Sequence, residues 1–81
     1  MKITFSERTW SDYLYWQEMD GDVLKRVNEL IRDTSRSPLK GIGKPEPLVG
    51  PLKGVWSRRI TREHRLLYRV SGTGGGQTLD I

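Results

Sequence analysis

The chain has no cysteine among its 81 residues, which excludes disulfides and thiolate metal sites. It has a single histidine, His64, and no apolar run that approaches the roughly 20 residues needed to span a membrane. Nothing at Met1-Lys2-Ile3 has the pattern of a signal peptide, so a cytoplasmic location with no membrane partner is expected. Apolar residues make up only 35% of the sequence and mean hydropathy is −0.62. That composition supports a thin two-layer core rather than a thick one, helped by three Trp and three Tyr. Negative charge is in deficit: ten acidic against fourteen basic side chains leave +4. Such a surplus favours polyanionic partners without identifying one.

Periodicity orders the chain as one domain spanning 1–81. Lys2–Phe5 alternates polar and apolar around β-branched residues, as a short strand does. Ser6 is placed to cap a helix with Glu7 in its first turn. Trp10, Tyr13 and Leu14 then fall on one helical stripe, flanked by Tyr15 and Trp16. Two readings are open for these aromatics, a base-stacking platform or the wide apolar face of a core helix, and the second is favoured. Asp20-Gly21 breaks the helix and Asp20 or Asp22 caps the next, where Val23, Leu24, Val27, Leu30 and Ile31 repeat at helical spacing. The charges opposite them, Asp33 included, have the look of an ordinary solvated face. Arg36-Ser37-Pro38 ends that helix, because the residue before proline resists helical geometry. A short connection makes the two helices an antiparallel hairpin.

The second half is loop and strand. Pro38–Pro47 is an ordered connection with turns at Gly41 and Gly43, and it lacks the spacing of a phosphate-binding loop. Glu46 sits between Pro45 and Pro47, so its backbone is biased to extended geometry and its side chain is aimed. Leu48 can open a further short strand, turned by Gly50-Pro51, which is not counted in the order given below. Val55–Ile60 and Arg65–Val70 are two further strands joined by a turn at 61–64. Alternation puts Leu66, Tyr68 and Val70 on one face and Arg65, Leu67 and Arg69 on the other. In the partner strand Trp56, Arg58 and Ile60 oppose Val55, Ser57 and Arg59. Arg59 and Arg65 then lie at cross-strand distance and repel unless an anion stands between them. Glu46 can be that anion, or can share the site with a phosphate. His64, in the turn, is suited to stabilising that turn or to a surface role. Gln77–Ile81 opens another alternating strand, expected to be incomplete at the C-terminus. The expected fold is α+β, in the order βααβββ: two N-terminal antiparallel helices on one face of a small, largely antiparallel twisted sheet.

Four stretches carry a more specific signal: WSDYLYWQ (10–17), VNELIRDT (27–34), GIGKPEPL (41–48) and GVWSRRITREHRLLYRV (54–70). On these the chain resembles the YoeB branch of the RelE-like toxins of bacterial toxin–antitoxin systems. The resemblance implies a RelE-like microbial ribonuclease fold and a ribosome-dependent endonuclease that cuts messenger RNA at codons in the decoding site. It implies attack of a 2′-OH on the adjacent phosphate, without metal or cofactor. Glu46 matches the general base, Arg65 the transition-state stabiliser and Arg59 a basic residue of the same cleft. Lys44, Arg58, Arg69 and His64 complete the expected RNA-binding set. The implied partners are a YefM-type antitoxin, the 70S ribosome and its mRNA, with room for a homodimer. The family's strand ends in His-Tyr, that histidine being the general acid. This sequence stops at Ile81, so weak or absent cleavage is expected. Two readings of other classes stand beside this one: a non-catalytic RNA- or ribosome-binding module, and an interaction domain whose basic face docks an acidic partner segment.

Overall fold

A computed structural model describes all residues, Met1–Ile81. The chain runs β1 (Lys2–Thr4), α1 (Glu7–Met19), α2 (Gly21–Arg36), β2 (Glu46–Pro47), β3 (Trp56–Arg59), β4 (Arg65–Ser71) and β5 (Thr78–Asp80), with single 3₁₀ turns at Gly50–Leu52 and Gly74–Gly76. The sheet order is β1-β5-β4-β3-β2, antiparallel throughout except that β1 runs parallel to β5. The α+β class and the helix pair on one sheet face are as expected. The strand count exceeds the expected βααβββ order by one: the further short strand at Leu48, left out of that order, is real but lies at Glu46–Pro47, where it pairs with β3.

The helix boundaries follow from capping chemistry. The Ser6 hydroxyl accepts from Thr9 N at 3.1 Å, and Asp20 Oδ1 accepts from Asp22 N and Val23 N at 3.1 and 3.2 Å. Each satisfies backbone donors that a helix start leaves open. α2 carries the core face of the helical layer, with Val27, Leu30 and Thr34 buried. These meet Leu66 and Tyr68 of β4 and Leu79 of β5, which complete the buried core.

α1 does not do what its pattern predicts. None of its residues is fully buried, and Trp10, Leu14, Tyr15 and Met19 are exposed. The reason is lateral packing. Trp10 and Tyr13 stack with centroids 5.5 Å apart, Phe5 meets both edge-on at 5.5 and 5.6 Å, and Tyr13 donates to Asn28 Oδ1 of α2 at 2.8 Å. The aromatics hold α1 to its neighbours at the rim and leave the centre to α2.

Two carboxylates tie the elements together, one within the sheet and one between the sheet and the helical layer. Asp80 on β5 accepts from Thr4 of β1 at 2.7 Å and from Ser71 of β4 at 2.9 Å, so one side chain links three adjacent strands. Those two hydroxyl bonds, with the charge of Arg69 adding to them, hold its carboxyl below the ordinary range. Asp33 on α2 is not part of a solvated face. It pairs with Arg58 Nη1 at 2.6 Å and accepts from Ile42 N at 3.0 Å. The bond from Arg58, then that from Ile42, depress its carboxyl against the opposing effect of burial.

Both depressed acids bind protons more readily in the unfolded chain. Their contribution is therefore fully present above the ordinary carboxylate value of 3.8 and is lost as pH falls below it. Stability measured by urea unfolding is expected to decline below about pH 4, and Asp33→Asn should flatten that decline while lowering stability at neutral pH. Arg58→Lys, which keeps the charge but loses the guanidinium fork, should cost about 3 kcal/mol at pH 7 in the same measurement.

Candidate active site

The site is built on β3, whose alternate side chains face opposite ways. Arg58 points to the helical layer, fully buried, with β4 residue Leu66 opposite it in register. All five of its N–H groups find acceptors. Nε donates to Tyr68 Oη at 3.2 Å. Nη1 donates to Asp33 and, at 3.2 Å, to the Ile42 carbonyl. Nη2 donates to the carbonyls of Ser37 at 2.6 Å and Lys40 at 3.0 Å. Tyr68 Oη in turn donates to the Pro38 carbonyl at 2.6 Å. Arg58 is therefore removed from the RNA-binding set. Its neighbour Arg59 is exposed, but an arginine one residue away must face the core and there binds the loop 37–42.

That loop delivers Glu46. Gly43 adopts φ +80°, and a Cβ there would meet Leu30 Cδ2 at 2.7 Å, so only glycine fits. Its carbonyl accepts from Arg59 N at 2.7 Å, which hangs the loop on the end of β3. Lys44 follows at φ +51°, the only non-glycine residue at positive φ, and its side chain is exposed. β2 then pairs Glu46 with Ser57 and Pro47 with Trp56. Leu48 N donates to the Val55 carbonyl at 2.8 Å and continues the ladder.

On the sheet face away from the helices, Arg59 and Arg65 are direct cross-strand partners, as alternation predicts. Glu46 Oε1 lies 3.5 Å from Arg65 Nη1, with the two side chains 59% and 42% exposed. A carboxylate and a guanidinium are thus held together in solvent reach, with the Arg59 charge beside them. The contact is long and wet enough for a phosphate to displace it. Lys44 lies two residues before Glu46 and adds positive charge to the same edge. Arg69 does not join the group. It sits four residues along β4 from Arg65, roughly 13 Å away at strand spacing, opposite Asp80 in register.

His64 occupies the turn before β4. Its ring packs edge-on against Trp16 with centroids 5.0 Å apart, and its carbonyl accepts from Ile60 N and Thr61 N. Beside it lies a cavity of about 430 Å³ between α1 and the sheet, lined by Tyr15, Trp16, His64, Arg65 and Leu66 among others. Arg65 therefore borders both the Glu46 contact and an aromatic hollow. Sequence reasoning had no cue to Asp33 as the partner of Arg58, nor to Trp16 as the partner of His64. It placed Ser57 on the same face as Arg59 without assigning it a role.

The fold and these side chains define a small α+β domain with an exposed carboxylate–guanidinium pair on the sheet face away from its helices. A model of the "YoeB-like toxin of bacterial type II toxin-antitoxin system" matches residues 5–78. The toxin YoeB of Escherichia coli K12 is 61% identical over 71 residues, covering 88% of this chain and 84% of that protein. The toxin RelK of Mycobacterium tuberculosis is 49% identical over 68 residues, covering 84% and 80% of the two chains. Among solved structures, a YoeB/ParE toxin from Agrobacterium tumefaciens superposes with a TM-score of 0.97 at 50% identity, over 99% of this chain and 91% of that one. A heterotetrameric YoeB–YefM toxin–antitoxin complex from Staphylococcus aureus superposes with 0.87 at 42% identity, over 99% and 88%. The chain belongs to the YoeB-like toxin family and is a toxin of a YoeB-type toxin–antitoxin system.

Because the Glu46–Arg65 contact is exposed, it should matter little for folding. Glu46→Gln is expected to change unfolding free energy by less than about 1 kcal/mol. A thermal or urea melt of the purified variant checks this, and also licenses reading its activity as chemistry.

Proposed function

We propose that this toxin is a ribosome-dependent endoribonuclease that cuts messenger RNA in the decoding site and so stops translation. The observation that carries the reading is the exposed Glu46 carboxylate beside the Arg65 guanidinium, with Arg59 directly across the strand pair. Cleavage by transesterification needs two things that these groups can supply. The 2′-OH must lose its proton as its oxygen attacks the adjacent phosphorus, and Glu46 takes that proton. The pentacoordinate phosphorane gains negative charge, which Arg65 receives through paired N–H donors. The P–O5′ bond then breaks, leaving a 2′,3′-cyclic phosphate on one fragment. A separate acid returns a proton to the departing oxygen, which becomes the 5′-OH of the other. Arg59 and Lys44 hold neighbouring phosphates and contribute position rather than chemistry.

The stiff backbone around Glu46 supports the base role. Proline on both sides, pairing with β3 and the Arg58-held loop behind it leave the carboxylate few places to go. Such preorganisation lowers the cost of reaching the attacking geometry. The partner is a YefM-type antitoxin, as in the Staphylococcus aureus complex, and the ribosomal substrate sets the site of action in the cytoplasm. A second copy of the chain is a further partner, since a YoeB of that organism forms a dimer.

Primer extension on messages bound to purified ribosomes tests the reading. It is made with the 81-residue chain and with the chain carried on to the family's His-Tyr ending. Glu46→Ala should slow cutting by about 10²- to 10⁴-fold and Arg65→Ala by about 10²- to 10³-fold, with folding intact. A Glu46→Ala protein that still blocks translation at wild-type strength would instead identify a binding module.

A further inference from the structure

Ser57 is the one buried side chain whose polar atom goes unpaired. It is fully buried, and its Oγ has no hydrogen-bond partner in the protein. Native interiors pair the large majority of their buried polar side-chain atoms, so a hydroxyl left in that state calls for an explanation. A strand centre also has no preference for serine, since β-branched and aromatic residues suit it better. Alanine would fill the same space with no polar atom to satisfy.

Its position suggests the reason. Ser57 is the in-register partner of Glu46 on β2 and of Leu67 on β4. Neighbouring Arg58 points to the helical layer, so Ser57 shares the opposite face with Glu46. Directly opposed residues have Cβ atoms about 5 Å apart, and a glutamate side chain is long enough to bring its carboxylate to the hydroxyl of that partner. Arg65 is the diagonal neighbour on the other side. Ser57 therefore lies between the two groups of the cleft. The carboxylate has acceptor capacity left, since its only protein hydrogen bond is the 3.5 Å contact from Arg65.

We infer that Ser57 is the positioning residue of Glu46: its hydroxyl donates to the carboxylate when Arg65 turns to the phosphate. The inference rests on Glu46 acting as general base. When substrate phosphate draws Arg65 away, Glu46 loses its only partner and is free to rotate. A bond from Ser57 to one carboxylate oxygen keeps the other aimed at the 2′-OH. Ser57 retains its own proton throughout, and the proton removed from the 2′-OH resides on Glu46.

Single-turnover cutting of message on ribosomes, with toxin in excess, tests this across Ser57→Ala, Ser57→Thr, Glu46→Ala and the Glu46→Ala/Ser57→Ala double variant. Ser57→Ala should slow the cutting step by about ten- to a hundredfold and leave the toxin concentration at half-saturation unchanged. Its melting temperature should not fall, because an unpaired buried hydroxyl has been removed. Ser57→Thr should recover most of the rate. In the Glu46→Ala background the serine change should have no further effect, since it acts through that residue. A Ser57→Ala protein within about twofold of wild type, while Glu46→Ala is crippled, would overturn the inference and leave the endonuclease standing. So would an undiminished serine effect in the double variant. Full activity in Glu46→Ala, or no cutting even by the chain carried on to the family's His-Tyr ending, would overturn the endonuclease and this inference with it.

Discussion

A guanidinium with every N–H occupied is the constraint on which the rest of this small protein depends. Arg58 is fully buried, so its charge and its five donors must be answered inside the fold or the interior would not tolerate it. Asp33 answers the charge from α2, Tyr68 takes one donor from β4, and three loop carbonyls take the remainder. In a chain with so little aliphatic side chain, this network does what a larger apolar core would do elsewhere. It fixes the helix layer, the sheet and the 37–42 loop relative to one another. Because its bonds are directional, it also admits one arrangement of them, which a purely apolar contact would not.

The consequence for the cleft is that β3 separates two jobs by side-chain parity. Its inward residue Arg58 immobilises the loop that leads to Glu46, while its outward residues Ser57 and Arg59 lie in the cleft to which that loop delivers the carboxylate. The Gly43 carbonyl accepts from the backbone of Arg59 itself, so loop and strand are joined just where the site begins. Arg59 opposite Arg65 is unfavourable taken alone. Glu46 relieves part of that repulsion in the free protein, and a phosphate can relieve it better. The fold thus holds the Arg59 and Arg65 charges side by side against their preference.

Much of this was legible in the residues. Alternation placed Leu66 and Tyr68 inward and Arg59 beside Arg65, capping residues marked both helices, and the two prolines singled out Glu46. The same alternation also put Arg58 with Trp56 and Ile60 on the inward face, yet its membership of an arginine cluster pointed to RNA. The deciding fact was an acid 25 residues earlier, whose helical position alone looked like solvated surface. Pairings of that kind depend on how two layers dock, which local pattern does not encode. The aromatics of α1 misled for a related reason: periodicity reports that a face is apolar, but not whether α2 has already filled the centre.

The burial of Ser57 links these two sides of the strand. Ser57, between Trp56 and the buried Arg58, can hardly move, because its strand is paired with β2 on one side and with β4 on the other. Its hydroxyl therefore keeps one address beneath the in-register glutamate. An exposed carboxylate on a mobile loop would spend most of its time in unproductive orientations, and an exposed serine could not correct that. Here the backbone of Glu46 is fixed by proline and by pairing, leaving only its side-chain torsions to be chosen. A single rigid donor is enough to choose them. The network on the inner face fixes the backbone of Glu46, and on the role proposed for Ser57 the hydroxyl on the outer face fixes its carboxylate once Arg65 turns to the phosphate.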